Sequence, residues 1–133
     1  MTQRVVVTGM GTINPLGKSM PESWDNVLAG VSGVGRISLF DPTEFLVQIA
    51  CEVKDFDPGQ YMDPREARRR DRFEQFAAVA AAEAIRQSGL EISPERAGRV
   101  GVIVSTAVGG LETLEASVLK MAEEGPRRVS PFM

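Results

Sequence analysis

Four arginines, Arg65, Arg68, Arg69 and Arg72, recur at i, i+3, i+4 and i+7. On a continuous helix that spacing lines four guanidinium groups along one face and makes a basic stripe. The plain reading of such a run is a solvated helix surface, paired locally with Glu66, Asp71 or Glu74. The functional reading is a docking face for an anionic partner. Nucleic acid suits it poorly, because the chain carries a net charge of -3 and no aromatics interleave with the arginines to stack on bases.

Covalent chemistry has few candidates. Cys51, the single cysteine, lies in Ile49-Ala50-Cys51-Glu52-Val53, and the chain has no histidine. Without imidazole there is no Cys/His or Ser/His pairing to activate a nucleophile, and the commonest metal ligand is missing too. A buried or half-buried strand cysteine is expected here, in preference to a reactive one. The run Val5-Val6-Val7-Thr8-Gly9-Met10-Gly11 enters a glycine turn as a strand does before a phosphate-binding helix. The dinucleotide fingerprint needs a third glycine at position 14, but Asn14 stands there and Pro15 removes an amide donor. The residues favour a tight turn that packs the strand against a neighbour.

The elements that must position these residues belong to an ordinary globular chain. Its 133 residues, 43% apolar and 25% charged, fit one domain or part of one. No apolar run is long enough to cross a bilayer, and the three valines after Arg4 are too few for a signal peptide. One cysteine excludes an internal disulfide and fits a reducing compartment, so a cytoplasmic location is expected. The β-branched runs Arg4 to Thr8 and Arg99 to Ser105 read as buried strands of a parallel sheet. A helix is predicted over Pro21 to Ala29, stopped by Gly30. An irregular excursion with a hairpin follows, its arms near Ile37 to Phe40 and Val47 to Val53. Asp63-Pro64 opens a short helix, and Asp71 to Ser88 forms the longest one, ended by Gly89. Alanines at 77, 78, 80, 81, 82 and 84 give that helix little bulk, so another backbone can approach it and it is expected to be mostly buried. Ser93 caps one further turn, and a last helix runs from Leu111 to Gly125-Pro126. The apolar ending Pro131-Phe132-Met133 is an odd place for a domain to stop, and a truncated chain is expected.

Several of these segments, in this order, resemble the β-ketoacyl-acyl carrier protein synthases. They are Val5 to Gly11 with Pro15-Leu16-Gly17; Ser32-Gly33-Val34; Val100-Gly101-Val102-Ile103 with Gly109-Gly110-Leu111; and Gly125-Pro126-Arg127-Arg128-Val129-Ser130-Pro131-Phe132. The likeness covers essentially the whole chain and is greatest to the elongating type, synthase II. It implies an α/β, thiolase-like layered αβαβα fold, of which residues 1–133 form the amino-terminal part, acting as a homodimer. The implied reaction is a decarboxylative Claisen condensation of an acyl-enzyme thioester with malonyl-acyl carrier protein in fatty-acid elongation. The family's nucleophilic cysteine, in a Thr-Ala-Cys-Ser motif, lies past residue 133, as do its two histidines and a lysine. No catalytic residue and no metal ligand is therefore expected in this chain, and Cys51 matches no catalytic position. The only prosthetic chemistry implied is the phosphopantetheine that the carrier protein brings.

The same resemblance assigns carrier-protein contact to the positions of Arg65, Arg68, Arg69, Arg127 and Arg128. Acyl carrier proteins are acidic, so these positions would steer the partner's approach. Val108 and Leu111 match positions that line the acyl-chain tunnel, and Met133 matches one that the partner subunit contributes; core filling is the plain alternative for all three. A polyketide ketosynthase would share every one of these motifs. A chain-length-factor-like partner that has lost the nucleophile would share them too, and only residues past 133 separate the three readings.

Overall fold

The computed structural model describes residues 3–131. In chain order its elements are α1 (Met20–Leu28), β1 (Val34–Arg36), β2 (Ile49–Cys51), a 3-10 turn at Pro58–Gln60, α2 (Pro64–Ala67), α3 (Arg72–Ser88), α4 (Pro94–Ala97), α5 (Leu111–Glu124) and a second 3-10 turn at Pro126–Arg128. The chain is mixed α/β, with most regular structure in helices. The residues group into two compact units, one comprising the chain up to Asp57 together with Ala78–Ile92, the other comprising Pro58–Ala77 and the chain from Ser93.

In the first unit a glycine-bearing segment lies directly on the alanine-rich helix. A Cβ added at Gly9 or Gly11 would be driven into the carbonyl oxygens of Ala84 and Ala80 respectively, so only hydrogen fits there. That is the close backbone approach the small side chains of α3 predict. Polar side chains of α3 then hold the segment. Gln87 Oε1 accepts from Met10 N at 2.5 Å, Glu83 Oε2 accepts from Thr12 N at 3.0 Å, and Glu83 Oε1 accepts from Met20 N at 2.8 Å. Asn14, which occupies the third-glycine position, spends its amide on its own turn. Its Oδ1 accepts from Leu16 N, and its Nδ2 donates to Thr12 Oγ1 and to Ser23 Oγ of α1. Ser19 caps α1 by accepting from Glu22 N.

The hairpin of this unit is antiparallel, pairing Val34 with Cys51, Gly35 with Ala50 and Arg36 with Ile49. Its second arm falls inside the predicted stretch, whereas its first arm lies three residues earlier than predicted. Glu52 explains the shift. Its carboxylate takes Ser38 N, Ser38 Oγ and Leu39 N as donors, which turns the predicted strand residues into a clamped loop.

In the second unit Asp63 caps α2 by accepting from Arg65 N, with Pro64 in the first turn. The helix then breaks. The carbonyls of Ala67 and Arg70 accept from Gln75 Nε2 at 2.9 and 3.0 Å, and Asp71 restarts the chain as the residue before α3, its N–H donating to Glu74 Oε2. This is the reciprocal half of a capping box, and it makes Arg72 the first residue of a new helix. Gly125 ends α5 at a φ of 88°, a left-handed conformation that glycine adopts without strain.

Three expectations are corrected. Arg4 to Thr8 and Arg99 to Ser105 form no strand among the described residues, and Val5 and Ile103 are each 95% exposed. An apolar run marks a segment for burial, but a strand also needs a neighbour to take its backbone hydrogen bonds, and none of the described residues supplies one. The long helix is not mostly buried either: Val79 alone among its residues is buried, and Ala81 and Ala82 are exposed. Cys51 sits in a strand as expected, but that strand is an exposed hairpin arm and the thiol is exposed with it.

Candidate functional site

A groove of about 250 Å³ opens in the second unit, between the start of α3 and the double-glycine turn that leads into α5. Phe73 and Phe76 face Val108 and Leu111 across it, with Asp71, Arg72 and Glu112 among the polar residues that line it. Two of the three predicted acyl-chain residues, Val108 and Leu111, are thus brought to one apolar cleft, and the third, Met133, lies outside the described residues. The fit between the walls is close. A Cβ at Gly109 would fall 2.7 Å from Cε1 and Cζ of Phe73, which lets the ring lie against bare backbone. Gly110 caps α5 at a φ of 72° and carries no side-chain cap of its own. Asp71 stands beside it instead: a Cβ at Gly110 would meet Asp71 Oδ2 at 2.7 Å, while Asp71 Oδ1 accepts from the hydroxyl of Thr113 in the first turn of α5.

The five predicted docking arginines are all exposed, in two separate stretches of the same unit. Arg65 lies in α2, and Arg68 ends it, donating from Nε to Pro64 O at 3.1 Å; Arg69 follows in the turn. Arg127 and Arg128 form the turn after α5, where Arg128 approaches Glu124 at 3.8 Å. The single-face stripe is corrected here. It required one helix through Arg65, Arg68, Arg69 and Arg72, and the break after Ala67 places Arg72 on α3, where its guanidinium stacks 5.0 Å from the ring of Phe76. Glu66, one of the expected local partners, bonds Arg70 at 2.7 Å.

Elsewhere the chemistry is sparse. Among the described residues no group of three or more His, Cys, Asp or Glu is arranged to hold a metal ion, and no helix is long and apolar enough to cross a membrane. The clearest electrostatic perturbations are structural. The Ser38 hydroxyl, followed by the Ser38 N–H, lowers the Glu52 carboxyl below its ordinary range, and Thr43 does the same to Asp41.

Residues 2–133 match the family model for the β-ketoacyl synthase N-terminal domain. The chain belongs to the β-ketoacyl synthase family. It is 46% identical over 130 residues to a 3-oxoacyl-acyl-carrier-protein synthase 2 of Vibrio harveyi and 43% identical over 130 residues to that of Staphylococcus aureus strain COL. In each case the match covers 98% of this chain and 31% of the relative, so the chain spans about a third of their length. Among solved structures, it is similar to a ketosynthase solved in complex with its type II polyketide acyl-carrier protein and bound to the hexaketide. There the TM-score is 0.72 at 27% identity, over 96% of this chain and 33% of that one.

In the sequence of this β-ketoacyl synthase chain Phe73 and Phe76 are two residues of a long predicted helix, and nothing there marks them as lining a groove. Asp71 stands in the sequence only as a helix start and a local partner for the arginines, and Thr113 is not singled out at all. A signal existed for Asp71, since Asp71-Arg72-Phe73-Glu74 has the spacing of a capping box. Nothing local could have tied it to Thr113, 42 residues away.

Proposed function

We propose that this chain is the amino-terminal part of a β-ketoacyl-acyl carrier protein synthase of the elongating type, synthase II, with a thiolase-like layered fold and a homodimeric, cytoplasmic life. The observation that carries the reading is 43 to 46% identity, along nearly the entire chain, to proteins named for that activity. In this reading an acyl group passes from carrier protein to a cysteine thiolate outside residues 1–133. Malonyl-carrier protein then loses carbon dioxide, and the resulting enolate carbon attacks the acyl thioester, releasing a 3-oxoacyl product two carbons longer and freeing the thiolate. Donors aimed at the enolate oxygen would stabilise that charge. No cofactor is required beyond the carrier's own phosphopantetheine.

The residues of this chain serve binding. Val108 and Leu111, across from Phe73 and Phe76, suit an acyl chain because their walls are apolar, and Met133 would add to the same channel in the partner subunit. Arg65, Arg68, Arg69, Arg127 and Arg128 are exposed and cationic, which suits an acidic carrier protein; the solved ketosynthase in complex with its acyl-carrier protein supports such a partner. The likeness to that ketosynthase makes a polyketide pathway the second reading, at a lower identity of 27%. A non-catalytic chain-length-factor-like role would require the cysteine position past residue 133 to hold another residue.

Charge reversal tests the docking role. In the full-length enzyme, Arg68→Glu with Arg127→Glu should raise the carrier-protein KM about tenfold at low salt, a difference that shrinks near 1 M salt as the Debye length falls to about 3 Å. An unchanged KM at low salt contradicts the assignment.

A further inference from the structure

Asp71 joins the two sides of the groove through contacts that the proposed function does not use. It is the residue before α3, and its own N–H is taken by Glu74 Oε2 at 2.9 Å. Its carboxylate reaches the other side, where Oδ1 accepts from Thr113 Oγ1 in the first turn of α5 and Oδ2 lies against Gly110. The helix α5 begins at a left-handed glycine that has no side chain to cap it, so this carboxylate supplies from outside the negative charge that a helix N-terminus favours. The turn it holds is the one that carries Val108 and Leu111, and the residue two along from Asp71 is Phe73, whose ring packs on Gly109. One carboxylate thus touches both sides of the groove.

We propose that Asp71, acting through Thr113, is a positioning residue that fixes the width of the acyl groove and so the range of acyl chains accepted. The proposal rests on the reading of the groove as an acyl-chain site and adds its specificity control. A groove whose α5 wall is held by this contact resists a longer or bulkier chain. Released, the Val108 to Leu111 turn moves away from Phe73 and the discrimination between acyl lengths relaxes.

The test compares long and short acyl primers on the same carrier protein in the full-length enzyme, so that carrier docking cancels from the ratio of their kcat/KM values. Thr113→Val keeps the side-chain shape and removes the hydroxyl, Asp71→Ala removes the acceptor, and Asp71→Asn keeps an acceptor oxygen. Expected are a change in the long-to-short ratio of about tenfold in Thr113→Val and in Asp71→Ala, a near-wild-type ratio in Asp71→Asn, which keeps an acceptor for Thr113 while losing the charge, and no further change in the double variant, as for two ends of one contact. If Asp71→Ala does not fold, Thr113→Val decides alone. A ratio unchanged in Thr113→Val, whatever happens to overall rate or melting temperature, overturns the proposal while leaving the acyl-site reading standing. A wild-type enzyme that elongates no acylated carrier removes that reading and this one with it.

Discussion

Replacing Gly11 by alanine should be among the most damaging single-methyl additions in this chain. The new Cβ would be driven into the carbonyl oxygen of Ala80, with Ala80 C and Ala84 N each 2.9 Å away, where ordinary contact begins at 3.4 Å. All three obstacles are backbone atoms of α3, so no side chain can rotate aside, and the segment itself must lift. Overpacking of this kind costs about 1 to 3 kcal/mol. Lifting also stretches the bonds on either side of Gly11, from Met10 N to Gln87 and from Thr12 N to the Glu83 carboxylate. These are worth roughly 1 kcal/mol for the neutral bond and about 1.5 to 3 for the charged one. A total near 3 kcal/mol or more is expected, a large part of the roughly 5 to 15 that holds a domain together. Equilibrium urea unfolding followed by far-ultraviolet circular dichroism reads this as a midpoint lowered by about 1 to 2 M, taking a slope near 2 kcal/mol/M. Gly98→Ala is the control: its Cβ would enter open space at a φ of -67°, and it should be neutral or stabilising by about 0.4 to 1 kcal/mol. A Gly11→Ala protein within about 0.5 kcal/mol of wild type would refute the backbone-contact argument.

Three further outcomes follow from the same geometry. Glu83→Gln turns one of two accepting oxygens into a donor facing a backbone N–H, and should cost about 2 kcal/mol in the same unfolding measurement, with a loss under 0.5 contradicting the clamp. Val108→Phe should narrow the groove and lower the long-to-short primer ratio of kcat/KM about tenfold or more, and an unchanged chain-length profile counts against Val108 as a wall. The Glu52 clamp should be acid-sensitive. Its folded carboxyl titrates below the unfolded one, so the stabilisation is present above the ordinary glutamate range near 4.3 and is lost as pH falls through the lower, folded value. The Ser38 and Leu39 amide resonances should titrate with a midpoint below the ordinary glutamate value in wild type and show no such transition in Glu52→Gln.

What could be read from the residues alone divides along the range of the forces involved. Helix ends are written locally, and Asp63, Gly89, Ser93 and Gly125 stand at or beside the boundaries of α2, α3, α4 and α5 as their chemistry predicts. The low bulk of the alanine-rich helix likewise announced the close approach of another backbone, but not that Gly9 and Gly11 would supply it. Strands are different. The valines of Arg4 to Thr8 and Arg99 to Ser105 announce burial but not a neighbour, and among the described residues their edges remain open. The arginine stripe failed for a local reason that could have been weighed: Asp71 and Glu74 restart the helix, and a period of 3.6 cannot be carried across a break. The groove was half legible. Family likeness pointed to Val108 and Leu111, but Phe73, Phe76 and the Asp71 to Thr113 contact depend on how two distant stretches meet.

The decisive property is acyl-chain extension by the full-length protein. Purified enzyme given an acylated carrier protein and malonyl-carrier protein should yield, by mass spectrometry of the carrier-bound species, a 3-oxoacyl thioester two carbons longer, with one carbon dioxide released per turnover. A folded protein that binds both carriers yet leaves the acyl chain at its starting length would contradict it.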